Sequence, residues 1–311
     1  MQPMVLAFNP LDSVSEFFKN LMNNFCKAMY DGLYSVADAQ FKGMFESLND
    51  MISDSTAYIT QSPQAWSSTA FSFIKGIAEN ACIPLAGCII TFVFCMELIH
   101  MVQDNNQMHA ITPEKVIIVM LKLGCFLLIA SKSFDIVMGV YDIGSWAAKK
   151  VNPSTAGSVG NIDLRQILPP PDENGQYDLG MVFTMLINVI LLFFARIVVF
   201  ALAVAIFVQT NLWYLELLIY TSVAPLPMST FMNREWGQIG NNYVRKIIAV
   251  CFQGFFMLVA FGLYSALVTN LQFAEGDDFM LKLFMTIGCG VALFFILCKS
   301  GNISASVFNA H

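Results

Sequence analysis

Apolar residues follow two different rhythms along this chain. Over 11–60 they recur at helical spacing: Phe17, Phe18, Leu21, Met22, Phe25, Met29 and Leu33, with Lys19, Asn23, Lys27 and Asp31 between them. A second stripe runs through Phe41, Met44, Phe45, Leu48, Met51 and Ile52. This pattern predicts two amphipathic helices meeting near 32–38. Such helices either lie in a membrane interface or pack on a partner subunit, or else cover the protein's own membrane domain.

Beyond about residue 70 the rhythm gives way to long apolar runs. A run of about 20 apolar residues crosses a hydrocarbon core of roughly 30 Å. Six such spans are predicted, at 81–102, 116–141, 179–208, 212–232, 244–271 and 279–298. The chain then divides into an amphipathic region (1–70), a first membrane helix pair (71–141), a hydrophilic loop (142–178) and a four-span membrane domain (179–311). The fold class is all-α: a polytopic membrane helical bundle of about six spans, preceded by amphipathic helices.

Composition agrees. The 311 residues are 57% hydrophobic and only 12% charged, where a soluble domain carries about 25% charged residues. There is too little polar surface to solvate a globule of this size. The net charge of -6 is modest and says little about a partner, and no Lys/Arg-rich run suggests direct duplex binding. Most of the eight cysteines sit in apolar runs and none forms a C-x-x-C, so they read as small packing residues. No His/Cys/Asp cluster has metal-ligand spacing, and no phosphate-binding G-x-x-x-x-G-K-[ST] is present. Catalytic residues, cofactors and metals are not expected.

Lys/Arg bias in short loops sets orientation. The turn before the fifth span holds Arg234, Arg245 and Lys246, whereas the turn before the sixth holds Glu275, Asp277 and Asp278. The C-terminus is then cytoplasmic. With six spans the N-terminus is cytoplasmic too, and Lys149 and Lys150 agree.

Ionisable residues inside spans are costly and mark interior or cavity-facing positions. Glu97 and Lys122 fall at similar depth on adjacent antiparallel spans, so they either pair or snorkel separately. Arg196 lies mid-span and requires an acid, backbone carbonyls or water. Glu216 is one candidate, about 10 Å away in depth by the helical rise; an acid from another subunit is the other.

The most informative stretch is 213–256. An apolar run breaks at Ala224-Pro225-Leu226-Pro227, turns through a polar, aromatic segment, and re-enters an apolar run through Arg245 and Lys246. In lipid a break survives only where protein or a water-filled cavity satisfies the freed backbone groups. Trp236 and Tyr243 can anchor the turn at headgroup depth. Gln238, Asn241 and Asn242 offer donors and acceptors to the freed groups or to a partner, while Arg234 and Arg245 supply charge.

Ala224-Pro225-Leu226-Pro227, Arg234-Glu235-Trp236-Gly237-Gln238, Gly240-Asn241-Asn242-Tyr243 and Phe252-Gln253-Gly254-Phe255 together resemble the TrbL-like polytopic proteins of Gram-positive conjugative elements. These are relatives of the sixth VirB component of type IV secretion systems. The resemblance is sharpest over 190–270. It implies a non-enzymatic subunit of the cytoplasmic-membrane translocation assembly. The implied partners are other secretion-system membrane subunits, separate ATPases, further copies of itself, the lipid bilayer and, transiently, transported DNA or protein. The motif around Pro225–Tyr243 then either covers a pore or forms a cytoplasmic docking surface, and the second reading is preferred. A small-solute or ion transporter or channel is the alternative, which solute flux through the isolated chain in liposomes would reveal.

Overall fold

The computed structural model describes residues 10–104, 113–151, 164–168, 176–233, 236–269 and 279–310. All regular structure among them is helical. Most of the expected hydrophilic loop, together with Arg234, Glu275, Asp277 and Asp278, lies outside the described residues.

The N-terminal stripes form one helix, α1 (Pro10–Thr60), rather than two. Gly32 costs only about 1 kcal/mol in a helix interior. Ser35 Oγ donates to the Gly32 carbonyl at 2.8 Å and Lys42 pairs with Asp38 at 2.6 Å, so the helix continues through the expected junction. A short turn, α2 (Pro63–Trp66), and α3 (Ser68–Ile77) follow. Ser62 and Ser67 cap them by accepting the Ala65 and Ala70 N–H groups. A π turn, Ala78–Cys82, leads into α4 (Ile83–Asp104) just before Pro84, whose missing N–H interrupts the α ladder.

The expected second span is a bent pair, α5 (Pro113–Ser131) and α6 (Ser133–Lys150), turning by 62° at Lys132. Ser133 Oγ donates to the Ala130 carbonyl across the corner. After α7 (Leu164–Ile167) comes α8 (Leu179–Val223), 45 residues long. It replaces the expected third and fourth spans. The polar residues Thr210 and Asn211, read as a break, bond back to the Ile206 and Phe207 carbonyls at 3.0 and 2.8 Å. Their side chains are satisfied within the helix, and nothing stops it. The prolines then act: α9 (Pro225–Met228) and a 3₁₀ turn, Ser229–Met232, reverse the chain into α10 (Gly237–Thr269), and α11 (Phe279–Val307) closes the fold.

Among the described residues, four helical segments are long and apolar enough to cross a membrane, or five if the bent pair counts as one span. The fusion in α8 takes the expected six to five, and the bend at Lys132 takes it to four where the α5–α6 pair is not counted as a span.

The partners along α8 set the architecture. Asn23 Oδ1 accepts the Tyr177 N–H at 2.6 Å, Arg196 reaches Gln40 at 2.8 Å, and Tyr214 Oη donates to the Gln61 carbonyl at 2.9 Å. Numbers rise together on both elements, so α1 and α8 run parallel. The pairs Tyr243–Tyr220, Lys246–Glu216 and Trp213–Val250 run in opposite order, so α10 is antiparallel to α8. Ser304 Oγ donates to the Ala249 carbonyl, and Gln253 donates to Ser300 Oγ at 3.2 Å, placing α11 antiparallel to α10.

The densest part of the core is where α1, α6, α8 and α10 meet. Tyr141 and Tyr214 hydroxyls lie 2.8 Å apart, and both donate to the Gln61 carbonyl, which the end of α1 leaves free. Trp66 stacks on Tyr214 at 4.8 Å, and Trp213 Nε1 donates to the Val250 carbonyl at 2.8 Å. The buried Trp213 indole and the Tyr141 and Tyr214 phenols thus find partners, as their desolvation requires.

Candidate docking face and intramembrane charges

The proline break is held on both sides. Pro225 lacks an N–H, and the Ala224 N–H turns to the Thr221 carbonyl at 3.3 Å, leaving the Tyr220 carbonyl free. Tyr243 Oη donates to it at 2.7 Å. Thr230 Oγ1 donates to the Pro227 carbonyl at 2.8 Å and accepts the Gly240 N–H at 3.1 Å. Gly240 is required there, since a Cβ would sit 2.9 Å from the Pro227 carbonyl. Asn233 starts α10 by accepting the Trp236 N–H at 3.0 Å. Pro225 and Tyr243 therefore take part in building the turn, and these freed groups are satisfied by protein.

Tyr243→Phe should remove one hydrogen bond and orphan the Tyr220 carbonyl, a loss of about 1–3 kcal/mol. The expected readout is a melting temperature in detergent a few degrees lower, with membrane insertion unchanged.

Gln238, Asn241, Asn242 and Arg245 are all exposed, and they follow the i, i+3, i+4, i+7 spacing of one helix face. None of them is consumed by the break. Trp236 lies beside them, half exposed, and stacks on Phe92 of α4 at 5.6 Å. Phe126 of α5 stacks on Phe231 at 6.4 Å. These two contacts hang the α4–α5 hairpin on the turn. Arg234 is outside the described residues.

The intramembrane charges rearrange. Glu97 and Lys122 do not pair. Glu97 is buried with Oε2 unpartnered, while Lys122 is on the exposed face of α5. Their depth is compatible, but they face different ways around their helices. Glu216 pairs with Lys246 at 3.7 Å, not with Arg196. Both partners are about two-fifths exposed, so in water the pair contributes about 0–1 kcal/mol.

Arg196 Nη1 donates to Gln40 Oε1 at 2.8 Å, and its guanidinium lies on Gly43, where a Cβ would be 3.1 Å from Nη2. It has no carboxylate partner among the described residues, and it is exposed. Sequence separation hid this contact: Gln40 is 156 positions away. Around Arg196, residues 189–208 carry no other polar side chain. That stretch of about 20 residues rises ~30 Å, the thickness of a hydrocarbon core. An ionised group at the centre of that core costs about 2.5–3.5 kcal/mol on insertion scales.

The family model described as "TrbL/VirB6 plasmid conjugal transfer like protein" matches residues 48–225, more than half of the chain. This chain belongs to the TrbL/VirB6 plasmid conjugal transfer-like family. The match starts within α1, takes in α2 to α8 and ends at Pro225. Of the sequence that carries the resemblance, residues 226–270 lie beyond the match. Comparison with curated proteins and with solved structures gives no match. A TrbL/VirB6-like chain is a conjugal transfer-related protein, and its apolar helices are those of a membrane protein.

Proposed function

We propose that this chain is a non-enzymatic, multi-pass subunit of the cytoplasmic-membrane translocation assembly of a conjugative DNA transfer apparatus. It works as several copies alongside other membrane subunits and separate ATPases. The α10 face of Gln238, Asn241, Asn242 and Arg245 is its cytoplasmic docking surface.

The observation that carries the docking reading is division of labour within one turn. Thr230, Asn233, Gly240 and Tyr243 bond to backbone and side-chain groups within the broken segment, and the four polar residues are left facing outward on one helix face. Arg245 and Lys246 at this end of the bundle favour the cytoplasmic side. The start of α10, the end of α8 and the end of α11 then share that side, so the C-terminus is cytoplasmic. Because α1 runs parallel to α8, its start is on the opposite, outer side. This replaces the six-span expectation of a cytoplasmic N-terminus.

A photo-crosslinking residue placed at Asn241 or Arg245, in cells carrying the complete apparatus, tests the assignment. Adducts with a secretion ATPase are expected at these positions and not at Phe200, on the apolar face of α8. If both α10 positions yield only lipid adducts, the docking surface is abandoned while the family assignment stands.

A further inference from the structure

Along α1, Asp38, Lys42, Glu46, Asp50 and Asp54 succeed one another at every fourth residue. Glu46, Asp50 and Asp54 are exposed and have no partner among the described residues. The parallel packing fixes their level. Gln40 and Gly43 lie against Arg196, and Ile59 lies against the site where Trp213 meets Gly254. Residues 36–55 of α1 therefore flank residues 189–208 of α8. At one level, α8 presents Phe200, Val204 and Phe207 outward, while α1 presents three carboxylates.

We infer that α1 passes through the depth of the bilayer beside α8, with its carboxylate stripe lining a water-filled space of negative charge. This rests on the reading of 189–208 as a membrane span. Lipid cannot cover the stripe: Asp and Glu lack the long stems with which Lys and Arg reach the interface. From Asp38 to Asp54 the stripe rises ~24 Å, most of the core thickness, so the carboxylates between have no nearby headgroup layer. A second copy of the same face cannot cover it either, since like charges would meet. Arg196 supplies an independent indication. Its guanidinium is a five-donor group held at mid-depth on the flank of α1 by a single neutral acceptor, so its remaining donors need water. Water is the one occupant that satisfies both the carboxylates and the guanidinium.

Single cysteines in a cysteine-free background test this in cells that assemble the full apparatus. The positions are Glu46→Cys, Asp50→Cys and Asp54→Cys on α1, against Phe200→Cys, Val204→Cys and Phe207→Cys on α8. The probe is a membrane-impermeant quaternary-ammonium methanethiosulfonate, and a lipid-permeant maleimide confirms that each thiol is present. The thiolate is the reacting species and a lipid-facing thiol stays protonated, so the α1 positions should label at least about tenfold faster. If neither set labels, the aqueous lining is wrong and α1 is covered by another protein, while α8 remains a span. If both sets label alike, 189–208 lies outside the bilayer, and the span reading falls together with the inference built on it.

Discussion

Replacing Gly144 with valine should leave little properly folded protein. Gly144 is in α6 where that helix crosses α10, and a Cβ there would stand 2.6 Å from the Cys251 carbonyl oxygen and 3.1 Å from its carbon. Both are backbone atoms, so no rotamer change relieves the contact and the two helices must part. Overpacking of this kind costs about 1–3 kcal/mol, occasionally more, against a total stability of about 5–15 kcal/mol. Parting α6 from α10 also draws the Tyr141 hydroxyl away from Tyr214 and the Gln61 carbonyl, which adds a buried donor without its acceptor to the clash. Gly139, on the exposed side of the same helix, has nothing within 4 Å of its Cβ position. Gly139→Ala should be neutral or stabilising by up to ~1 kcal/mol, because alanine is the better helix former. Melting of detergent-solubilised protein followed by size-exclusion fluorescence separates the two. At about 2–4 °C per kcal/mol, Gly144→Val should melt some 5–10 °C low or fail to accumulate. Equal melting of the two variants would show that the α6–α10 contact is looser than these distances require.

Much of the fold was legible because apolar runs report burial or lipid directly. The start of α11, the amphipathic stripes of α1 and the proline break at 225–227 all follow from that pattern and from the missing proline N–H. Continuity was not legible. At Ser35, Thr210 and Asn211 a polar side chain bonds back to its own helix, and at sequence level this looks the same as a polar residue ending one. The corner at Lys132 shows the converse, since a pattern that reads as one run is bent by packing.

Within the candidate site, spacing conveyed depth but not azimuth. Glu97 and Lys122 are on helices apolar nearly all round, so no stripe marked which side faced inward. The Arg196–Gln40 contact and the parallel pairing of α1 with α8 depend on chain segments more than 150 positions apart, beyond any local pattern. The motif at 225–245 was legible as a unit, yet its two jobs were not. Only the hydrogen bonds distinguish Tyr243, which ties the turn, from Asn241 and Asn242, which do not.

That distinction gives the second large effect. Substituting Gln238, Asn241, Asn242 and Arg245 together with alanine should lower transfer frequency by at least about 100-fold. Truncating a hot-spot residue weakens binding by about 2 kcal/mol or more, roughly 30-fold, so two hot spots among the four exceed that loss. Folding should be untouched. All four side chains are exposed, exposed substitutions fall within about 0.5 kcal/mol, and alanine favours the helix. Protein level, membrane insertion and melting temperature should therefore match the parent. Trp236→Ala should behave differently: it removes the stack on Phe92 that helps hold the α4–α5 hairpin to the turn, so stability should fall along with transfer. The pair of measurements separates a surface that binds from a turn that only folds. If the quadruple variant transfers within a few-fold of the parent, the polar face is merely solvated, and the contacts of the apparatus with this chain lie elsewhere.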